Sequence, residues 1–135
     1  MTISYRDDLT GIHPVQLAGF FEGWPHPPSQ ETHLRLLQES DAVVLAWDEQ
    51  EGRVVGFITA ITDHVLASYI PLLEVLPAYR TRGIGRELVR RMLEQLASLY
   101  MVDLQCDPNL QPFYEALGMQ RATGMMLRRY ERQSG

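Results

Sequence analysis

One continuous segment, Leu73-Glu74-Val75-Leu76-Pro77-Ala78-Tyr79-Arg80-Thr81-Arg82-Gly83-Ile84-Gly85, constrains the fold more than any other part of the chain. An apolar strand is stopped by Pro77, a tight turn follows, and two glycines open a helix. Ile84, Leu88, Val89, Met92, Leu93 and Leu96 recur at three- and four-residue spacing, which predicts a helix with one apolar face from Arg82 or Gly83 to about Leu99. A further apolar run, Met101 to Cys106, reads as a strand. A strand–helix–strand unit places the Ser68–Leu76 and Met101–Cys106 strands parallel, with a right-handed crossover.

The remaining segments arrange themselves around that unit. Pro14 to Phe21 predicts a short helix, and Gly23-Trp24-Pro25-His26-Pro27-Pro28 a stiff connection, because prolines exclude regular helix. Ser29 is suited to cap a second helix running to about Gln38. Ala42–Trp47, Arg53–Thr62 and Ser68–Leu76 read as strands of an antiparallel meander, since the links between them are too short for parallel crossovers. Pro112 requires the next short helix to start near 109–111, with Asn109 as its cap and Gly118 beyond its end. Gln120–Tyr130 is expected to add one or two closing strands, with Met125, Met126 and Leu127 as their apolar part. The fold class is α+β: a mixed, mostly antiparallel sheet flanked by helices, with residues 1–135 forming a single domain.

Composition narrows the function. A hydrophobic fraction of 45 % and a charged fraction of 21 % are those of a folded globular chain. No apolar stretch is long enough for a membrane span, and Met1–Asp8 has no secretory apolar core, so a cytoplasmic protein with no membrane partner is expected. The single cysteine, Cys106, offers neither a disulfide nor a zinc-ligand pattern; no metal is expected, and Cys106 itself reads as a buried strand residue. A net charge of −5 argues against a nucleic-acid partner. Yet all twelve basic residues are arginine, and Arg80, Arg82, Arg86, Arg90 and Arg91 cluster in one stretch. They form either the solvated face of a helix or a local site for a small polyanion.

The first N–H groups of a helix lack intrahelical partners and sit at the positive end of its dipole. Glycines at that point let a phosphate reach the bare backbone. Two phosphate-binding motifs are excluded. The dinucleotide fingerprint needs a third glycine where Leu88 stands, and the P-loop needs a lysine, of which there is none.

The run Arg80-X-X-Gly83-X-Gly85 after a strand ending Val-X-Pro, with Pro112-Phe113-Tyr114-Glu115-Ala116-Leu117-Gly118-Met119 downstream, resembles the GNAT N-acetyltransferase superfamily. The order of helices and strands is also similar to the GNAT (acyl-CoA N-acyltransferase) fold over nearly the whole chain. The resemblance implies acetyl-CoA as cosubstrate. The backbone of Thr81, Arg82, Gly83, Ile84, Gly85 and Arg86 would bind its pyrophosphate beside the Arg80 signature residue. The backbone of Leu73 and Val75 would pair with pantetheine and the acetyl carbonyl, in a gap where the two parallel strands part. Tyr114 stands where the family places its general acid. Trp24, Pro25 and His26 fall on the acceptor side, and Tyr69 and Pro71 where some members carry histidines. Dimers are common in the family, and Met125–Leu127 would suit an exposed homodimer edge.

Acetyl transfer to an amine needs a neutral amine, a stabilised oxyanion and a proton for the departing thiolate, but no protein nucleophile. Backbone donors at an oxyanion are worth about 2.7–4 kcal/mol each in other systems. Two carboxylates are candidates for handling the amine. Asp107 stands where many family members have asparagine; it either orients or deprotonates the amine, or is a turn residue before Pro108. Glu74 interrupts an apolar strand, where a carboxylate needs a partner or a function. His26 and His64 are loop alternatives. The expected activity is transfer of acetyl from acetyl-CoA to a primary amine of a small molecule or peptide, by direct attack in a ternary complex. The alternative is a non-catalytic acyl-CoA-binding or sensing module on the same fold.

Overall fold

The structure, a computed structural model, describes residues 2–135. Its elements are β1 (Ile3–Arg6), α1 (Gln30–Glu39), β2 (Ala42–Asp48), β3 (Arg53–Thr62), β4 (Ala67–Ile70), β5 (Leu73–Val75), α2 (Ile84–Gln95), β6 (Met101–Leu104) and α3 (Gln111–Glu115). The sheet order is β1-β2-β3-β4-β6, with β5 paired to β3 beyond the end of β4. Among the described residues, β4 and β6 alone run parallel. The sheet is therefore the mixed, mostly antiparallel one expected, and the fold is α+β.

Two layers cover the sheet. Ile84, Leu88, Val89 and Met92 of α2 are buried on one face, where Gly56 of β3 lets the helix come close: a Cβ there would lie 3.1 Å from Leu88 Cδ1. Burying each such side chain contributes about 1.5–3 kcal/mol. On the other face α1 buries His33 and Leu37. Ser29 caps α1 as expected, its Oγ accepting from Thr32 N at 3.1 Å. No helix of the described residues is long and apolar enough to cross a membrane.

Several elements differ from the sequence expectation. Ile3–Arg6 forms an edge strand on β2 that composition gave no cause to expect. The expected Pro14–Phe21 helix is a 3-10 turn over Pro14–Leu17, and Phe21 has φ 63°. The expected Ser68–Leu76 strand is two strands. The β3–β4 register (Ile61↔Tyr69) and the β3–β5 register (Ile58↔Leu73) differ by one residue, so a bulge sits at Pro71–Leu72. α2 ends four residues before Leu99, and β6 ends before Cys106, which is half-buried beyond the strand. Asn109 lies inside a 3-10 turn, Pro108–Leu110, and the cap position of α3 falls on Leu110 instead.

The largest departure is at the C-terminus. Residues 120–129 form no strand, and Met125, Met126 and Leu127 are 95 %, 63 % and 68 % exposed. Apolar residues adopt strand where a pleated surface can half-bury them, and β6 is too short to offer one there. Gln105 holds this segment instead, donating from its side chain to Met125 O at 3.1 Å.

Candidate active site

The start of α2 is held in place by its flanking turn. Tyr79 donates to Asp48 Oδ2 at 2.6 Å, and Asp48 also accepts from Gln50 N and Glu51 N. The Tyr79 bond is the main reason the Asp48 carboxyl titrates below its ordinary range. Gly83 caps α2 with φ 80°, a left-handed conformation that a Cβ disfavours. Ile84, Gly85 and Arg86 follow with the N–H groups that a helix leaves unpaired.

The arginine cluster is mostly committed to the protein. Arg80 pairs with Glu22 at 2.7 Å and donates from Nε to Val75 O, while Arg90 and Arg91 bind Glu87 and hold its carboxyl down to about 2. Arg82 lies over the Tyr79 ring. Arg86 has no carboxylate partner among the described residues. Any anion at the Gly83 turn therefore meets backbone N–H groups first, with Arg86 beside them.

Beside that turn the sheet opens. Parallel pairing of β4 with β6 runs from Ala67↔Met101 to Ile70↔Leu104 and stops. Beyond it β5 stays on β3, while Gln105-Cys106-Asp107 diverge. The gap is a cleft of ≈ 480 Å³ whose lining includes Leu72, Leu73, Glu74, Cys106, Asp107 and Tyr114. The ladder direction of β5 is fixed by Thr59 N→Leu72 O and Leu76 N→Val55 O, at 3.1 and 2.9 Å. Backbone groups alternate along a strand, so Leu73 and Val75 turn their N–H groups away from β3, toward the gap that β6 has vacated. The bulge therefore leaves two amide donors beside the cleft, next to a helix N-terminus.

The side chains suggested by the sequence divide into distinct placements. Tyr114, on α3, lines the cleft, and burial pushes its phenol up to about 12, so it stays protonated at any physiological pH. Asp107 lines the same cleft and makes no capping bond with its side chain. Glu74 also lines it, but both its oxygens are engaged: Phe21 N donates to Oε1 at 2.8 Å and Glu22 N to Oε2 at 3.3 Å. Those successive N–H groups, one on a residue with positive φ, form a small anion nest. Glu74 thereby fixes the loop that carries Trp24. Trp24 lines this cleft and a second one, and Tyr69 lines the second. His26 lines neither; its N–H donates to Gln133 Oε1 at 2.9 Å. His64 stands apart in the β3–β4 turn, 3.6 Å from Asp41.

The second cleft, of ≈ 560 Å³, adjoins the first; Trp24, Pro71, Leu72 and Arg128 line both. Sequence reasoning did not find Arg128, Thr59 or Glu39, which line it. Thr59 was legible in principle, since it shares a strand face with Phe57, which lines the first cleft. Arg128 was not, because it arrives on the segment taken for a strand. No group of three or more His, Cys, Asp or Glu among the described residues could hold a metal ion.

Comparison with known proteins identifies the family and the fold. The sequence profile of the acetyltransferase (GNAT) family matches residues 9–119. The chain belongs to the GNAT acetyltransferase family, whose members use acetyl-CoA. The crystal structure of a candidate acetyltransferase from Deinococcus radiodurans shares 51 % identity and a TM-score of 0.95, covering 98 % of this chain and 92 % of that one. Two Arabidopsis thaliana chloroplastic proteins, GCN5-related N-acetyltransferases 3 and 1, are 36 % identical over 69 residues and 27 % identical over 116 residues. Those alignments cover 50 % and 84 % of this chain but only 29 % and 59 % of the relatives' own lengths.

Proposed function

We propose that the protein is an acetyl-CoA-dependent N-acetyltransferase that acetylates a primary amine by direct attack in a ternary complex, residues 1–135 acting as one catalytic domain. The observation that carries this reading is the end of β4–β6 pairing at Ile70↔Leu104, which leaves the β5 edge unpaired on that side, with Leu73 lining the cleft and Val75 next to it near the Gly83 helix start. A diphosphate fits the N–H groups of Ile84, Gly85 and Arg86, which have no intrahelical partners at the helix start, and a thioester arm fits the strand edge. The lone half-buried thiol of Cys106 supports a reducing compartment such as the cytoplasm.

The roles follow from the chemistry each position can perform. The Leu73 and Val75 N–H groups take the pantetheine amides and the acetyl oxygen, polarising the carbonyl toward attack. The amine nitrogen adds to that carbon, the C–S bond breaks, and the sulfur leaves with a proton. Tyr114, held protonated, is the donor. The nitrogen releases its proton to Asp107, whose side chain is uncommitted, while Glu74 acts through the loop it clamps. Trp24 and Tyr69 bound the acceptor. The exposed apolar side chains of Met125, Met126 and Leu127 support a homodimer, which light scattering would test.

Release of free coenzyme A across a panel of amines tests the transferase reading, with isothermal titration of acetyl-CoA alongside. Turnover with at least one amine is expected. Tight binding without turnover on any amine would favour a sensing module instead.

A further inference from the structure

The C-terminal segment, residues 120–135, crosses the acceptor side as a strap. Its tie points are Gln105 to Met125 O at 3.1 Å and His26 N to Gln133 Oε1 at 2.9 Å. At its far end Gly135 comes against α1, where a Cβ would lie 2.8 Å from Thr32 Cγ2. Arg128 rides on this strap at the junction of the two clefts, lining both. It is the only cationic side chain among their lining residues, and it makes no ion pair among the described residues. Its guanidinium donates only to the carbonyl of adjacent Leu127, at a long 3.4 Å.

A second observation points to a ligand in the same place. Thr59, Ile61 and Phe57 alternate along one face of β3, Phe57 under the first cleft and the other two under the second. Thr59 is fully buried, yet its hydroxyl has no hydrogen-bond partner. A buried hydroxyl left unpaired is disfavoured by about 1–3 kcal/mol. The second cleft thus has an orphaned polar group in its floor and an unpaired guanidinium at its mouth. Its acidic lining residue, Glu39, belongs to the end of α1. A purely apolar or purely cationic amine would leave the guanidinium unanswered, whereas a carboxylate or phosphate matches its planar fork.

We infer that the acceptor is an amine bearing an anionic group, a carboxylate or a phosphate, and that Arg128 binds that group while the amine nitrogen reaches the thioester cleft. This rests on the transferase reading above and names its substrate class. The strap makes the contact, so specificity resides in a segment outside the sheet.

Coenzyme A release measured on matched amines tests it: amino acids against their carboxamides, and phosphoethanolamine against ethanolamine. At least one anionic member is expected to exceed its neutral counterpart tenfold or more in kcat/KM, the difference lying in KM. Arg128→Gln should abolish that preference and Arg128→Lys retain part of it, with melting temperatures confirming that both variants fold. The carboxylate and phosphate pairs separate the two anion sources. Turnover in which neutral members match their anionic counterparts, or in which Arg128→Gln keeps the preference, overturns this inference and leaves the transferase reading standing. No coenzyme A release from any amine overturns both.

Discussion

His33 supplies the sharpest stability prediction. It is 1 % exposed on the inner face of α1, ringed by Phe20, Phe21 and Phe57 with centroids 5.4, 4.8 and 4.5 Å away, and neither ring nitrogen has a partner. Burial lowers its pKa from 6.5 to about 4. The folded state therefore resists a proton that the unfolded chain accepts, so stability is full above about pH 6.5 and falls as pH drops toward 4. At 1.36 kcal/mol per pKa unit, lowering the pH from about 7.5 to about 4.5 removes roughly 2.5 kcal/mol. For a chain of this length that is a fall of about 8–10 °C in melting temperature. Every other titrating group contributes as well, so the quantity to measure is a difference. Urea unfolding of the wild type and of His33→Leu, followed by far-UV circular dichroism at both pH values, isolates the histidine. The leucine also removes two unpartnered nitrogens, so the variant should hold its stability at neutral pH and lose about 2.5 kcal/mol less on acidification. Equal acid losses in the two proteins would refute the reasoning, because a histidine already solvated or partnered in the fold gives no such difference.

Four further outcomes are expected. Tyr114→Phe should reduce turnover by about 10²–10⁴-fold, the range of general acid catalysis, with acetyl-CoA affinity by titration calorimetry little changed. Because burial pushes Tyr114 up to about 12, kcat should not fall between pH 8 and 10 through this residue; an alkaline limb there that vanishes in Tyr114→Phe would contradict its protonated state. Gly83→Ala places a Cβ on a residue with φ 80°, which costs about 1–2 kcal/mol and should weaken coenzyme A binding in the same assay. Glu74→Ala should lower the melting temperature and expose the 19–24 loop to protease, since two amides lose a charged acceptor worth about 1.5–3 kcal/mol each, whereas Glu74→Gln keeps part of that support. Lost turnover in Glu74→Gln with an unchanged loop would instead make Glu74 the base.

The central part of the fold was legible because its signals are local and redundant. β3 matched its expected limits, Arg53–Thr62, since a run apolar on both faces can only be a central strand. The start of α2 was announced by Gly83 and an apolar face of period 3.6. What escaped depended on partners distant in sequence. The bulge at Pro71–Leu72 shows only in how two strand halves register on β3. Met125–Leu127 carries strand-like residues, but its conformation is set by whether β6 offers an edge there, and β6 ends at Leu104. Glu74 was noticed as an anomaly in an apolar strand, yet its partners, the amides of Phe21 and Glu22, lie in a loop that no periodicity describes.

The bulge, the cleft and the clamped loop have one physical origin. A β5 continuing β4 in register would pair with β6 along its length, and the Leu73 and Val75 amides would be spent on a neighbouring strand. Pro71 lacks an N–H, and the bulge it accompanies bends the strand away from β6. The same shift sets Glu74 on the face opposite α2, where its carboxylate meets the Phe21 and Glu22 amides. Val75 takes the α2 face, its Cγ2 within 3.8 Å of where a Gly85 Cβ would stand. Restoring the register would therefore do more than close a gap: it would exchange the faces of Glu74 and Val75, burying a carboxylate under α2. Removing Pro71 alone is thus not expected to zip the strands together, because the buried-charge penalty at Glu74 opposes it. Pro71→Ala should keep coenzyme A binding. Only Pro71→Ala combined with Glu74→Val has the pattern to pair β5 with β6, and in that protein acetyl-CoA should no longer raise the melting temperature.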